Sequence, residues 1–300
     1  MTNLLQVNSL SKTYGTHRAA HDITFELAEG TSTALIGPNG AGKTTTLSML
    51  AGLVTPTSGS ILFRGQPKPD IRASIGYLPQ YPKFFPWMSA LEFTEMAAIL
   101  SGVEKRQALI EAKKTLEFVG LGDAMKKRVG TFSGGMKQRL GLAQAIVHEP
   151  ELLLLDEPVS ALDPVGRRQV MNLLKELQQK TTILYSTHIL NDAEEMTDQL
   201  LFLRKGILVE NGSLDDIRKK YANPRILIDF ESNEEAEKFK ELSPWTAERE
   251  KKQVAIDAVK EGVGTPEVLA LLNAENLTIR KVELQTASLE DIFMKVVMEE

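Results

Sequence analysis

The sequence predicts an α/β fold: a core built on a parallel sheet, a helical insertion, and a small C-terminal α+β domain. Three observations predict it. "STALIG", "ELLLLDEP" and "TTILYSTH" are short apolar or β-branched runs, of the kind that suits parallel strands buried on both faces. Helical patterns lie between them, such as "GRRQVMNLLKELQQK" from Gly166, and strands alternating with helices imply a parallel sheet. After "YANPR" the order becomes strand, helix, hairpin, helix, strand, the βαββαβ order of a split-βαβ unit.

Taken along the chain, "TSTALIGPNGAGKTTTLSMLAGL" reads as strand, glycine loop and a helix that begins near Gly42. Between Gln80 and Pro150 the sequence turns mostly helical, with "SALEFTEMAAIL", "KRQALIEAKKTLEFVG" and "GGMKQRLGLAQAIVHEP" as three helices inserted into the core. Beyond the core, "RILIDF" is a strand, "NEEAEKFKEL" a helix, and "WTAERE" and "QVAIDAV" the arms of a hairpin. "TPEVLALLNAEN" is a helix and "IRKVELQ" a strand. The closing helix "SLEDIFMKVVMEE" opens on Ser288 as N-cap, with Asp291 three residues on. The expected domains are 1–224, with the helical part at about 81–150, and 225–300. A chain of 300 residues suits one large and one small domain.

Hydrophobic residues at 42% and charged residues at 25% place the chain among ordinary globular proteins. It contains no cysteine, which excludes disulfides, zinc ribbons and iron–sulfur clusters and is compatible with a reducing compartment. "MTNLLQVNSLSKTYG" has no basic region followed by an apolar run, so no signal peptide is expected. No apolar run approaches the ~20 residues of a membrane helix. The net charge of −5 is uneven. Residues 225–300 hold ten basic and seventeen acidic side chains, a net −7, against 25 and 23 in the remainder. An acidic C-terminal part is repelled by nucleic acid, and no nucleic-acid partner is expected.

The stretch Gly37, Pro38, Asn39, Gly40, Ala41, Gly42, Lys43, Thr44 fits G-x-x-x-x-G-K-[ST] between a strand and a helix, the context the motif requires. Its glycines let backbone N–H groups turn inward around phosphates, and the helix N-terminus adds partial positive charge. Lys43 then reaches the β- and γ-phosphates and the Thr44 hydroxyl ligates Mg²⁺. The core is thereby that of a P-loop NTPase. Asp156 and Glu157 end the leucine run, and ligands of parallel sheets sit beyond the carboxyl ends of strands. Asp156 is placed to hold Mg²⁺ and Glu157 to polarise the attacking water; a charged strand cap is the plainer alternative. His188 ends another apolar run at the same edge, where it is either catalytic or a structural histidine. Gln80 follows a short strand-like segment and by composition is only a linker residue. Tyr14, in "KTYGTH", is read as a loop residue that either stacks on a base or sits in a surface turn. The aromatic run "YPKFFPWM" is a docking surface or packing for the helical insertion. "TFSGGMKQRL", with a serine and two glycines at a helix start, looks like a second anion site.

In order, Tyr14, "GPNGAGKTT", Gln80, "FSGGMKQRL", "LLLLDEP", "SALDP" and "STH" resemble the nucleotide-binding subunit of an ABC transporter, over Met1 to about Tyr221. The tail "TASLEDIFMKVV" resembles the C-terminal extension of ATPases of ABC-2 type drug and antibiotic exporters. The resemblance implies an ATPase that uses ATP and Mg²⁺, drives a separate integral-membrane permease, and sits on the cytoplasmic face of the membrane. It implies that Tyr14 stacks on adenine and that Lys43, Thr44 and Thr45 hold phosphates and Mg²⁺. Gln80 would sense Mg²⁺ and the attacking water, Asp156 would assist Mg²⁺, Glu157 would be the general base, and His188 would contact the γ-phosphate. Two subunits, in the simplest case identical, would sandwich two ATPs. Ser133, Gly134 and Gly135 of one would close on nucleotide held by the other, and Asp163 would communicate across the pair. The family's signature usually reads L-S-G-G-Q; here Phe132 and Met136 stand at its ends. A soluble ABC-type ATPase with a regulatory or nucleic-acid-linked role and no membrane partner is the alternative.

Overall fold

The computed structural model describes residues 3–67, 71–160, 162–221, 224–285 and 288–298. Ala161 of the "SALDP" run, residues 286 and 287 of the tail, and the last two residues of the expected closing helix lie outside these. The chain divides into two compact units, residues 1–214 with 296–300, and residues 215–295.

The first unit opens with two long strands, β1 (Asn3–Tyr14) and β2 (His17–Ala28). In β2, Ile23, Phe25 and Leu27 alternate with polar residues and are buried, the period-two signature of a strand with one face on a core. Next come β3 (Ser32–Ile36), α1 (Lys43–Leu50), β4 (Ser58–Phe63) and β5 (Ile75–Leu78). β1, β2 and β4 form a separate antiparallel sheet in the order β2-β1-β4. A search for continuous apolar runs misses this sheet. Register shifts in both of its pairings break the alternation that would announce β1.

Three helices follow, α2 (Ala90–Leu100), α3 (Lys105–Phe118) and α4 (Gly134–Ile146), and they make the helical insertion. Ser89 and Glu92 form a reciprocal capping box at the start of α2. Alanines 97, 98 and 108 pack with Val147. The chain returns to the sheet through β6 (Leu152–Asp156), α5 (Pro164–Gln178), β7 (Thr182–Thr187), α6 (Leu190–Met196), β8 (Gln199–Arg204) and β9 (Ile207–Ser213). The main sheet has the order β5-β6-β7-β3-β8-β9; all neighbours are parallel except β8 and β9. Every residue of β3, β6 and β7 is buried, their few serines, threonines and Asp156 included, as suits central parallel strands. The ladder aligns Leu78 with Leu155, Asp156 with Ser186, and Ile36 with Thr187. The carboxyl ends of four strands therefore stand side by side, and the loops that leave them share one edge.

The second unit holds α7 (Leu214–Tyr221, its first residue in unit one), β10 (Arg225–Phe230), α8 (Asn233–Leu242), β11 (Ala247–Glu250), β12 (Gln253–Asp257), α9 (Thr265–Ala274) and β13 (Ile279–Gln285). Its sheet order is β11-β12-β10-β13, antiparallel throughout. That is the split-βαβ topology the element order predicts. Ile226, Ile228, Val254 and Ile256 form the inner face, and Phe230 meets Phe239 of α8 at 5.5 Å between ring centroids. Ser288 caps the closing helix α10 (Leu289–Phe293) with Asp291 in a capping box, but the α-helix is shorter than the sequence implies. From Met294 to Met298 the backbone widens to π-helical turns.

Candidate functional site

The first part of the site is the loop from β3 to α1. Gly42 caps α1 with φ 101°, and a Cβ there would lie 2.4 Å from the Ala19 carbonyl oxygen. A Cβ on Gly37 would lie 2.5 Å from the Leu203 carbonyl oxygen. Only glycine fits at either position, for backbone conformation at Gly42 and for close approach at both. Asn39 and Gly40 are exposed at the loop tip, and the Ala41 N–H donates to the Pro38 carbonyl. Lys43 turns its side chain back into this loop and is only 6% exposed. Its Nζ donates to the carbonyls of Gly37 at 2.7 Å and Pro38 at 3.2 Å. Burial holds the Lys43 ammonium below its ordinary pKa, and the carboxylates of Glu157 and Asp156 oppose that shift.

Three side chains from three strand ends converge on the Glu157 carboxylate. Lys43 Nζ lies 3.7 Å from Oε1, His188 Nδ1 lies 3.3 Å from Oε1, and Gln80 Nε2 donates to Oε2 at 3.0 Å. Glu157 is 8% exposed and has φ 48°, the left-handed region that non-glycine residues seldom occupy. Its backbone is pinned from both sides. The Glu157 N–H donates to Ser186 Oγ at 2.9 Å, and its carbonyl accepts from the Ser160 hydroxyl at 3.2 Å. Ser186 Oγ in turn donates to Asp156 Oδ1 at 2.7 Å. One fully buried hydroxyl thus fixes the carboxylate of Asp156 and the backbone of Glu157.

The structure brings together Gln80, Lys43, the adjacent Asp156 and Glu157, and His188 from four separate sequence stretches. The other expected residues have more local roles on view. Thr44 is exposed and Thr45 half-buried in the first turn of α1. Tyr14 is the last residue of β1 and not a loop residue, as the sequence had implied; it is half-exposed, with Lys12 Nζ 5.0 Å from its ring centroid. Ser133 caps α4 by accepting from the Met136 N–H at 3.2 Å, and Gly134 and Gly135 form its first turn. Asp163 caps α5 by accepting from the Gly166 N–H at 3.2 Å. Both N-caps leave helix N-termini with their positive dipole ends at solvent-accessible segments.

Sequence reasoning missed Ser186 and Gln138. Ser186 stands in "STH" as one more residue of a buried strand, and a fully buried hydroxyl in such a run is itself a signal, since it needs partners. Gln138 stands in a helix where a surface glutamine is the ordinary case.

A phosphate-loop strand-to-helix turn, with an acidic pair, a glutamine and a histidine at neighbouring strand ends, defines a P-loop nucleoside-triphosphatase. A sequence model described as "ABC transporter" matches residues 20–160, and one described as "ATP-binding protein DrrA1-3-like, C-terminal domain" matches residues 212–297. The chain is 43% identical to the uncharacterized ABC transporter ATP-binding protein YxlF of Bacillus subtilis (strain 168), over 98% of this chain and 99% of that protein. It is 35% identical to the bacitracin transport ATP-binding protein BcrA of Bacillus licheniformis, over 99% and 98%. Among solved structures, an ATP-binding subunit of an ABC transporter aligns with TM-score 0.66 at 33% identity, over 73% of this chain and 93% of that one. A dimeric ATP-binding cassette in a post-hydrolysis state, bound to ADP and Pi, aligns with TM-score 0.64 at 26% identity, over 70% and 98%. The chain belongs to the ABC transporter ATP-binding proteins and is an ATP-hydrolysing cassette of that family, related to ATPases of antibiotic-resistance exporters.

The Ser186 bridge gives a first expected result. Ser186→Ala removes the acceptor of a buried N–H and a donor to Asp156, and an unsatisfied buried group costs about 1–3 kcal/mol. The melting temperature should fall by several degrees, at about 2–4 °C per kcal/mol for a chain of this size. ATP binding should persist while hydrolysis drops. Unchanged hydrolysis in a well-folded Ser186→Ala chain would show that the bridge holds the fold and not the reacting groups.

Proposed function

We propose that this chain binds Mg·ATP, pairs head to tail with a second copy, and drives an integral-membrane permease as an exporter from the cytoplasmic face of the membrane. The observation that carries the catalytic part is the convergence of Lys43, Gln80 and His188 on the Glu157 carboxylate. In this reading Glu157 is the general base that takes a proton from the attacking water. His188 holds that carboxylate and contacts the γ-phosphate as it leaves. Lys43 binds the β- and γ-phosphates, and the N–H groups of Gly40 and of Gly42 to Thr45 line the phosphates, the Ala41 N–H being used by the Pro38 carbonyl. Tyr14 stacks on adenine.

The oxygen donors fit Mg²⁺. Among the described residues no cluster of three or more His, Asp or Glu side chains could hold an ion by itself. Mg²⁺ instead takes one or two carboxylates together with substrate phosphates. Asp156 supplies the carboxylate and Thr44 a hydroxyl. Gln80, whose Nε2 is used by Glu157, keeps its amide oxygen for the cation. Bound there, Mg²⁺ would neutralise charge on the β- and γ-phosphates.

Pairing follows from the second anion site. Ser133, Gly134 and Asp163 are exposed, and the α4 N-terminus belongs to no phosphate loop of its own chain. A partner's nucleotide is the ligand that suits it, and a cassette structure that is dimeric and bound to ADP and Pi supports pairing. Export is supported by the names of two relatives, a bacitracin transport and a linearmycin resistance ATP-binding protein. No helix among the described residues is long and apolar enough to cross a membrane.

The permease dock is the aromatic run after Gln80. It divides in the structure: Phe84 packs edge-on against the buried Phe93 at 5.1 Å, whereas Trp87 is 67% and Tyr81 71% exposed, with Phe85 beside Trp87 at 5.3 Å. Exposed aromatic clusters of this kind mark protein contacts. The test is co-purification of the tagged chain from detergent-solubilised membranes. Wild type should bring down a protein with several membrane helices. Trp87→Ser should lose it while keeping isolated ATPase activity and melting temperature, and Phe84→Ser should instead lower the melting temperature. A Trp87→Ser chain that retains the membrane protein would remove this surface from the dock.

A further inference from the structure

Helix α4 does more than present the Ser133–Gly135 segment. Gly135, Gln138 and Gly141 lie on one side of the helix, within an arc of about 120°. Gly141 sits so close to the Gln80 loop that a Cβ there would lie 2.7 Å from Leu78 Cδ1 and 3.1 Å from Pro82 Cγ. Gly135 faces the segment before Asp163, with Leu162 Cδ2 3.8 Å from where its Cβ would stand. Between them, Gln138 is buried, at 7% exposure, and its Nε2 donates to the Pro158 carbonyl at 2.8 Å. Pro158 follows Glu157 directly. Apart from apolar packing, this bond ties the helix to the backbone that carries Glu157.

A buried glutamine amide needs partners, and its choice of a backbone carbonyl fixes distance and direction more sharply than apolar contact does. Glu157 has little slack of its own, because its φ of 48° is held by Ser186 and Ser160. A displacement of α4 is therefore passed to the Glu157 backbone through one short hydrogen bond. We propose that Gln138 is a positioning residue: it transmits closure of Ser133–Gly135 on the partner chain's nucleotide to the general base acting on this chain's own nucleotide. The proposal rests on the paired-chain reading above. It makes the two ATP sites of a pair sense each other through each chain's α4, with Gln138 as the polar link.

The test uses the purified full-length chain at a temperature well below its melting point. Gln138→Met keeps length and burial but has no donor, and Gln138→Glu keeps polarity but has no N–H. Each is expected to lower kcat about five- to tenfold, the rate equivalent of one neutral hydrogen bond, with KM for MgATP within about threefold of wild type. In a Glu157→Gln background, Gln138→Met should still form ATP-bound dimers on size exclusion, at ATP concentrations within about threefold of Glu157→Gln alone. That split separates transmission from building the signature. Wild-type kcat in both Gln138 variants overturns the proposal, as does a Gln138→Met, Glu157→Gln chain that fails to dimerise where Glu157→Gln succeeds. Failure of Glu157→Gln itself to pair on ATP is a different result: it removes the paired-chain reading, and this proposal with it.

Discussion

Glu157→Gln is expected to lower ATP hydrolysis by about 10²–10⁴-fold while ATP binding persists. The substitution keeps side-chain shape, so the strained backbone at φ 48° and its bonds to Ser186 and Ser160 are retained. What it removes is the negative charge on which Lys43 and His188 converge, and with it the base. ATP that is bound and not split should hold two chains together, so a dimer should accumulate on size exclusion in the presence of MgATP. A Glu157→Gln chain that turns over ATP near the normal rate would mean that another group activates the water. Among the residues already in the site, His188 would then be the first to substitute.

Lys43→Ala is expected to weaken ATP binding by about tenfold to a hundredfold, matching the ~1.5–3 kcal/mol of a charged hydrogen-bonding partner. The fold should not suffer. Lys43 is buried against the carbonyls of Gly37 and Pro38, and burial disfavours its charged form enough to lower its pKa. Replacing it removes that desolvation cost but also takes a partner from two carbonyls and from the buried Glu157 carboxylate; the two effects oppose, so the chain should stay folded while affinity for a fluorescent ATP analogue falls. Unchanged affinity together with unchanged hydrolysis would overturn the phosphate reading of the loop.

Much of this was legible in the sequence because buried parallel strands leave little freedom. The acids of "ELLLLDEP" can only close such an apolar strand, and Asp156 and Glu157 are found at its carboxyl edge, buried among polar partners. The glycines of the loop could be read for the same reason, since Gly37 and Gly42 sit where a Cβ has no room. The antiparallel sheet was hidden by the register shifts in β1, and its second pairing joins β1 to the distant β4, which leaves no local pattern. The Ser186 bridge and the Gln138 bond were hidden differently. Each joins residues about 20 or 30 positions apart, and a serine or glutamine looks the same in sequence whether it bonds a critical backbone or faces water. The aromatic run was ambiguous because adjacent residues of an irregular segment point in different directions, so Phe84 turns inward and Trp87 outward.

The central claim is that Ser133–Gly135 serves the nucleotide of the other chain. The most direct test pairs a Lys43→Ala chain with a Gly135→Asp chain, differently tagged and purified as a mixed dimer. The aspartate is expected to repel the γ-phosphate, and its Cβ meets no clash: the nearest atom to a Cβ at Gly135 is Leu162 Cδ2 at 3.8 Å. If the segment acts across the pair, one composite site receives both lesions and the other receives an intact Lys43 with an intact Gly135. The measurement is nucleotide retained with MgATP and vanadate, which does not require both sites to cycle. Trapping in the mixed dimer well above that of either variant paired with itself is the expected result. Trapping no higher than in the single variants, in a confirmed mixed dimer, would contradict action across the pair and return the segment to its own chain's site.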